Sequence, residues 1–253
     1  AYQIDTTYLP TLLRQADYLM KRGKLELGVR ILEKADRYHP ENSEVQIEYS
    51  KLYLIGKDNA KSISYADLAV KYDLYNAEAY YLKGYNFLEL KDTTKAISSY
   101  RTAIEQDPDF FPPYLELGLI FSEQGDPLAL EYFRNALEVR PNERRTLYSK
   151  GMYEQEHEMY NEAMETYTQA IKAHPDFKEA HYNLGYVHLF YLQLYRQSQK
   201  YFTDAINVDP NYVEAYYNRG YAFELLGDIG NAAKDYRKAL ETNPSYDYAA
   251  EGL

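Results

Sequence analysis

Val213 to Pro244 reads VEAYYNRGYAFELLGDIGNAAKDYRKALETNP, and two helical stripes can be drawn on it, one on each side of Gly227-Asp228. Tyr216, Gly220 and Phe223 fall on the first stripe; Ala232, Tyr236, Ala239 and Leu240 fall on the second. These are the three- and four-residue spacings of amphipathic helices joined by a turn, so an antiparallel helix pair is predicted. A bulky ring opposite a glycine, with alanines where the backbones approach, interlocks in a way that two uniformly large faces do not.

The rest of the chain reads as imperfect copies of this stretch. The alanine of the second helix recurs at Ala35, Ala69, Ala103, Ala136, Ala170, Ala205 and Ala239, in steps of 34, 34, 33, 34, 35 and 34 residues. The small residue of the first helix recurs in register as Ala16, Ser50, Gly84, Gly118, Gly151, Gly185 and Gly220. A closing proline follows at Pro40, Pro108, Pro141, Pro175, Pro210 and Pro244, with Leu74 alone breaking the series. Registered copies of small residues, aromatics and proline at a period of about 34 resemble the tetratricopeptide repeat (TPR) family over nearly the whole chain. That resemblance implies an all-α fold, a right-handed superhelical solenoid of about seven helix-turn-helix repeats.

In this register the repeats occupy residues 9–42, 43–76, 77–110, 111–143, 144–177, 178–212 and 213–246. Residues 1–8 line up with the tail of an earlier repeat, and residues 247–253 begin a further or capping helix. The second repeat is the most degenerate, with Gln46 in place of a ring. The fourth is one residue short at its turn, Gly125-Asp126-Pro127. The sixth is one residue long, and its Gly-Asp turn is replaced by the apolar run Leu189 to Tyr195. Glu154 to Glu158 reads as a solvated helix end. Asp107 to Pro113 reads as a rigid turn whose rings pack on adjacent helices, with a ligand-contacting rim as the alternative.

Composition narrows the function. A formal net charge of -11 argues against nucleic acid, which needs a concentrated basic face. No cysteine is present, so thiolate chemistry and disulfides are excluded. The sequence has no apolar run long enough to span a membrane. It contains no phosphate-cradling loop, metalloprotease motif, serine elbow or calcium loop, so neither catalysis nor a cofactor or metal is expected. His181 and His188 lie about 10 Å apart along one helix, too far to share one ion, and both fall at packing positions. The unusual feature is 31 tyrosines with no tryptophan. Tyrosine suits both a helix-pair core and a half-exposed recognition surface.

The resemblance also implies where a partner binds: first helices line the concave face, and two residues four apart point into the groove. In register these pairs are Leu13 and Asp17, Ile47 and Lys51, Tyr81 and Tyr85, Leu115 and Leu119, Tyr148 and Met152, Tyr182 and Tyr186, and Tyr217 and Tyr221. Asn183 and Asn218, beside the last two first members, have amides able to donate to and accept from a peptide backbone. The lysine and asparagine pattern with which family members grip acidic chaperone tails is missing, and Glu179 and Glu214 stand where lysine would be wanted. Expected, then, is a protein-interaction scaffold holding a peptide or helix in a tyrosine-lined groove, with Phe190, Tyr191 and Leu194 as a secondary docking surface. The alternative is a structural or self-assembling segment of a larger envelope or multidomain protein, associating through open array ends. The compartment stays open: cytoplasm, or periplasm or envelope where an upstream targeting segment has been removed.

Overall fold

The computed structural model describes residues 7–253, so the match of Ile4 to Tyr8 with an earlier repeat lies largely outside the described residues. Every regular element among the described residues is helical. The chain divides into two compact units, Ala1–Gln124 and Gly125–Leu253.

The first unit holds α1 (Leu9–Lys21), α2 (Leu25–Tyr38), α3 (Ser43–Ile55), α4 (Asn59–Tyr72), α5 (Ala77–Glu89), α6 (Thr93–Gln106) and α7 (Phe111–Glu123). The second holds α8 (Leu128–Val139), α9 (Arg144–Glu156), α10 (Tyr160–Ala173), α11 (Lys178–Tyr186), a π-helical turn (Val187–Tyr191), α12 (Tyr195–Val208), α13 (Val213–Leu225), α14 (Ile229–Thr242) and α15 (Asp247–Glu251). Within each unit a helix packs on its hairpin partner and on the next helix in sequence, so apolar faces are buried against neighbours. The fold is all-α and of the repeat-solenoid class.

Local sequence sets the turns. Asp58, Asp92 and Asp228 cap α4, α6 and α14, each carboxylate accepting the backbone N–H three residues on at 3.1 Å. The turn before each cap needs one left-handed residue, and Gly227 supplies it with φ 78° at no steric cost. Gln193 takes the same conformation, φ 55°, in the sixth repeat, so the geometry survives where the Gly-Asp signature is gone.

The predicted interlock is present in both units. Gly84 faces the Tyr100 ring, and an added Cβ would stand 2.6 Å from it. The corresponding approaches are 2.5 Å for Gly151 to Tyr167, and 2.8 Å for both Gly185 to Phe202 and Gly220 to Tyr236. Where the second repeat has Ser50 and Ala66, a polar seam replaces the ring. The Ser62 hydroxyl donates to the Ser50 carbonyl at 2.8 Å, and the Asn86 amide donates to Ser62 Oγ at 2.8 Å. Ala103 and Ala170 are fully buried. Leucine at either is expected to overpack the helix pair and destabilise by about 1–3 kcal/mol. Thermal melting checks this, and variants that melt with the parent would show that the helices do not meet there.

Two local expectations are corrected. Glu154 is no solvated helix end: it is 3% exposed, contacts the Lys150 ammonium, and accepts from the Thr166 hydroxyl at 2.6 Å. Its position faces α10, and a carboxylate there is tolerated because both of its oxygens find partners. The apolar run of the sixth repeat is not all turn. The extra residue is absorbed as i→i+5 helix, with Leu192 N–H donating to the Val187 carbonyl at 3.1 Å, which leaves Leu192 to Leu194 as the turn. The Asp107 to Pro113 segment does pack its rings: Phe111 is buried, and Phe110 meets Tyr81 edge-on at 5.7 Å.

Candidate functional site

The groove residues predicted from sequence fall on both units. Tyr81, Tyr85, Leu115 and Leu119 belong to the first; Tyr148, Met152, Tyr182, Asn183, Tyr186, Tyr217, Asn218 and Tyr221 belong to the second.

The tyrosines at the first position pack against the second helix of their own pair and the start of the next helix. Tyr81 lies 5.7 Å from Tyr100 and 5.7 Å from Phe110. Tyr148 lies 5.8 Å from Phe177. Tyr182 lies 5.6 Å from Phe202 and 5.1 Å from Tyr212, and Tyr217 lies 5.7 Å from Tyr236 and 5.6 Å from Tyr246. Each of these tyrosines thus reaches the ring at the N-cap position of the helix that follows its pair. Ile47 and Leu115, at the same position, are buried outright. The second members Tyr85, Leu119, Met152, Tyr186 and Tyr221 are half-buried and keep an open side.

Asn183 and Asn218 are buried, 7% and 4% exposed. The Asn218 amide donates to the Tyr182 hydroxyl at 2.8 Å, and the Asn183 amide faces the Tyr167 hydroxyl at 3.3 Å and Met152 Sδ at 3.2 Å. One residue past the first member, the helix points inward, so both amides brace the rings instead of lying open to a peptide. Burial is the main cause that raises the Tyr182 and Tyr212 hydroxyls far above the usual tyrosine range; Glu214 adds to both and Glu179 to Tyr212. Both hydroxyls therefore stay protonated donors across the physiological range.

The π-turn splits the apolar run by face. Leu189 is buried against Phe202 and Ala205, while Phe190, Tyr191 and Leu194 are 40%, 42% and 41% exposed. Phe190 sits 4.4 Å from Tyr186 and 6.0 Å, stacked, from Tyr221 of the next repeat. Tyr191 lies 6.0 Å from Tyr186 and stacks on Tyr160 at 4.2 Å. Rings predicted to lie on separate surfaces thus meet: Tyr186 contacts Phe190 and Tyr191, and Phe190 contacts Tyr221. The traces of this in the sequence are the 35-residue step from Ala170 to Ala205 and the apolar run Leu189 to Tyr195 in place of a Gly-Asp turn.

Other chemistry is sparse. His181 and His188 are packed, with ring nitrogens 3.0 Å from the Pro175 carbonyl and 2.7 Å from the Leu184 carbonyl. Among the described residues no group of three metal-ligating side chains occurs, and no helix is long and apolar enough to cross a membrane.

Known proteins give a consistent answer. Models described as tetratricopeptide repeat match residues 13–75, 178–212 and 213–246, and one described as TPR repeat matches 84–125 and 158–189. Against curated proteins the sequence finds no match. Among solved structures, the C-terminal part of a TPR repeat-containing protein from Cytophaga hutchinsonii is similar with a TM-score of 0.79 at 16% identity, over 95% of this chain and 99% of that one. YrrB, a TPR protein with an unusual peptide-binding site, is similar at 0.52 and 20% identity, over 88% of this chain and 98% of its own. PilW, a type IV pilus biogenesis factor, is similar at 0.63 and 19% identity, over 83% and 97%. At these identities the likeness shows the fold alone. The family models, the period and the helix pairs agree: the chain belongs to the tetratricopeptide repeat family, a generally non-catalytic scaffold for protein and peptide partners.

Proposed function

We propose that the second unit holds a peptide segment or helix against the aromatic face formed by Tyr186, Phe190, Tyr191 and Tyr221. The observation that carries this reading is Phe190, which is 40% exposed yet links a groove tyrosine of one repeat to that of the next. Contiguous apolar surface of this kind marks contact sites on soluble proteins, and aromatic side chains dominate the energetics of such contacts. The half-exposed tyrosines offer hydroxyls to the peptide backbone while their rings take its apolar side chains. A peptide site on the similarly folded YrrB supports the reading by analogy.

The test uses peptides selected by display against the intact chain. Changing Tyr186 and Tyr221 together to alanine is expected to weaken those peptides by about 30-fold or more, the scale of an aromatic hot spot of roughly 2 kcal/mol. Helical content should hold, because neither ring is fully buried. The double change Tyr191→Ser and Leu194→Ser should weaken the same peptides if patch and groove act together. Unchanged affinity in both variants would remove the aromatic face from recognition. A rise in scattering mass with concentration that persists in the Tyr191 and Leu194 variant would favour the self-assembly alternative.

A further inference from the structure

We propose that Tyr160 and Tyr191 form a cross-linking site, at which one-electron oxidation joins the fifth repeat to the sixth through a carbon–carbon bond between the two rings. This inference stands apart from the peptide reading above.

Composition turns one-electron oxidation towards tyrosine. The chain has 31 tyrosines and neither cysteine nor tryptophan, the side chains that would otherwise give up an electron first. Placement then selects the pair. The Tyr160 and Tyr191 rings are 4.2 Å apart between centroids and inclined by only 19°, so their facing carbons are close to van der Waals contact. Tyr160 opens α10 and Tyr191 closes the π-helical turn, so the stack spans two consecutive hairpins. Tyr191 is 42% exposed and Tyr160 half-buried, within reach of a small oxidant in solution. The rings beyond Tyr191 offer no equal partner. Tyr186 meets it edge-on, at 6.0 Å and 62°, and Phe190, which packs on Tyr186 at 4.4 Å, has no hydroxyl.

The reaction balances within the pair. Each ring yields one electron to an external one-electron oxidant, two equivalents of which are reduced, and each ring loses its phenolic proton. The two phenoxyl radicals share their unpaired electrons as one bond between carbons ortho to the hydroxyls. The hydrogen on each joined carbon then moves to the oxygen as the ring becomes aromatic again, so the product has lost two hydrogens in all. Burial, and after it the charge of Glu158, raises the Tyr160 hydroxyl above the usual tyrosine range. At Tyr191 burial again leads, followed by Tyr186, Tyr160 and Glu158. Both hydroxyls are therefore protonated before oxidation, and Glu158, the carboxylate near both, is placed to pass the released protons to water.

The competing account is that the stack serves packing alone. Oxidation would then follow exposure, and Tyr75 and Tyr248, at 78% and 64%, would react first and link separate molecules. The test exposes the intact chain, dilute enough to keep molecules apart, to a photogenerated one-electron oxidant and maps the proteolytic fragments by mass spectrometry. The expected product is a monomer lighter by two hydrogens, in which the fragments holding Tyr160 and Tyr191 stay joined. Oxidation in concentrated urea should lose that product, since only the fold brings the two rings together. Tyr160→Phe and Tyr191→Phe each keep the stacked ring and should each abolish the joined fragment. Tyr53→Phe should leave it, although Tyr53 also stacks on a tyrosine, Tyr65, at 5.2 Å within its own hairpin. A joined fragment no more abundant from the folded chain than from urea would overturn the proposal. So would products that join separate molecules through Tyr75 and Tyr248 in place of the internal bond.

Discussion

Replacing Tyr167 by alanine is expected to cost about 3–5 kcal/mol, the range for deleting a fully buried large ring. The side chain has no exposed surface and fills the space that Gly151 leaves open. Its hydroxyl also donates to Gln155 at 3.2 Å and is the acceptor facing the Asn183 amide at 3.3 Å, so the deletion strands a buried amide as well as opening a cavity. Gly151→Ala is expected to fail from the other side, by about 1–3 kcal/mol, because its methyl carbon would stand 2.5 Å from the ring. Combined, the two changes should cost at least about 1 kcal/mol less than their sum, since the methyl then enters the emptied space. Urea unfolding of the four proteins gives the coupling. Strict additivity would mean that ring and glycine do not interlock.

The second large effect lies beside the first in the same repeat. Lys150→Met leaves the Glu154 carboxylate buried without its counter-ion, which is expected to cost about 3–5 kcal/mol. Lys150 also donates to the Thr166 hydroxyl at 2.7 Å, and that hydroxyl donates to Glu154 at 2.6 Å, so the three groups form one closed network. The triple change Lys150→Met, Glu154→Leu and Thr166→Val removes every stranded polar group and should recover most of the loss. Chemical denaturation separates the cases, and a single Lys150→Met change as stable as the parent would show that water reaches Glu154. The seventh repeat places Arg219 where the fifth has Lys150 and Asp235 where it has Thr166, the guanidinium Nε and Nη2 each donating to the carboxylate at 2.7 Å.

The fold was legible because it depends on which positions are equivalent. Alanines at a steady period fix the helix pairs, and a glycine opposite a ring fixes how they interlock. Faces were harder to read, because equivalence does not say which neighbour a side chain meets. Tyr182 and Tyr186 share a stripe, yet Tyr182 turns to Phe202 and Tyr212 while Tyr186 stays open beside Phe190. Asn218 was readable as polar and inner-facing, but its acceptor is a hydroxyl 36 residues earlier, a relation no local pattern carries. Glu154 looked solvated because four polar residues follow it, and only the register of α10 against α9 brings Thr166 to its carboxylate.

The π-turn at Val187–Tyr191 is a phase shifter. One added residue turns the helix by about 100°, and here that rotation begins and ends inside a single hairpin: Ala205 is still fully buried, as Ala170 is. The face that joins Phe190 to Tyr221 thus depends on a single codon. Deleting one residue between Phe190 and Gln193 would return the hairpin to the common period and carry the aromatic ring out of line with Tyr221. In an array of near-identical modules, a length change of one residue can give a single module its own surface while its neighbours keep theirs.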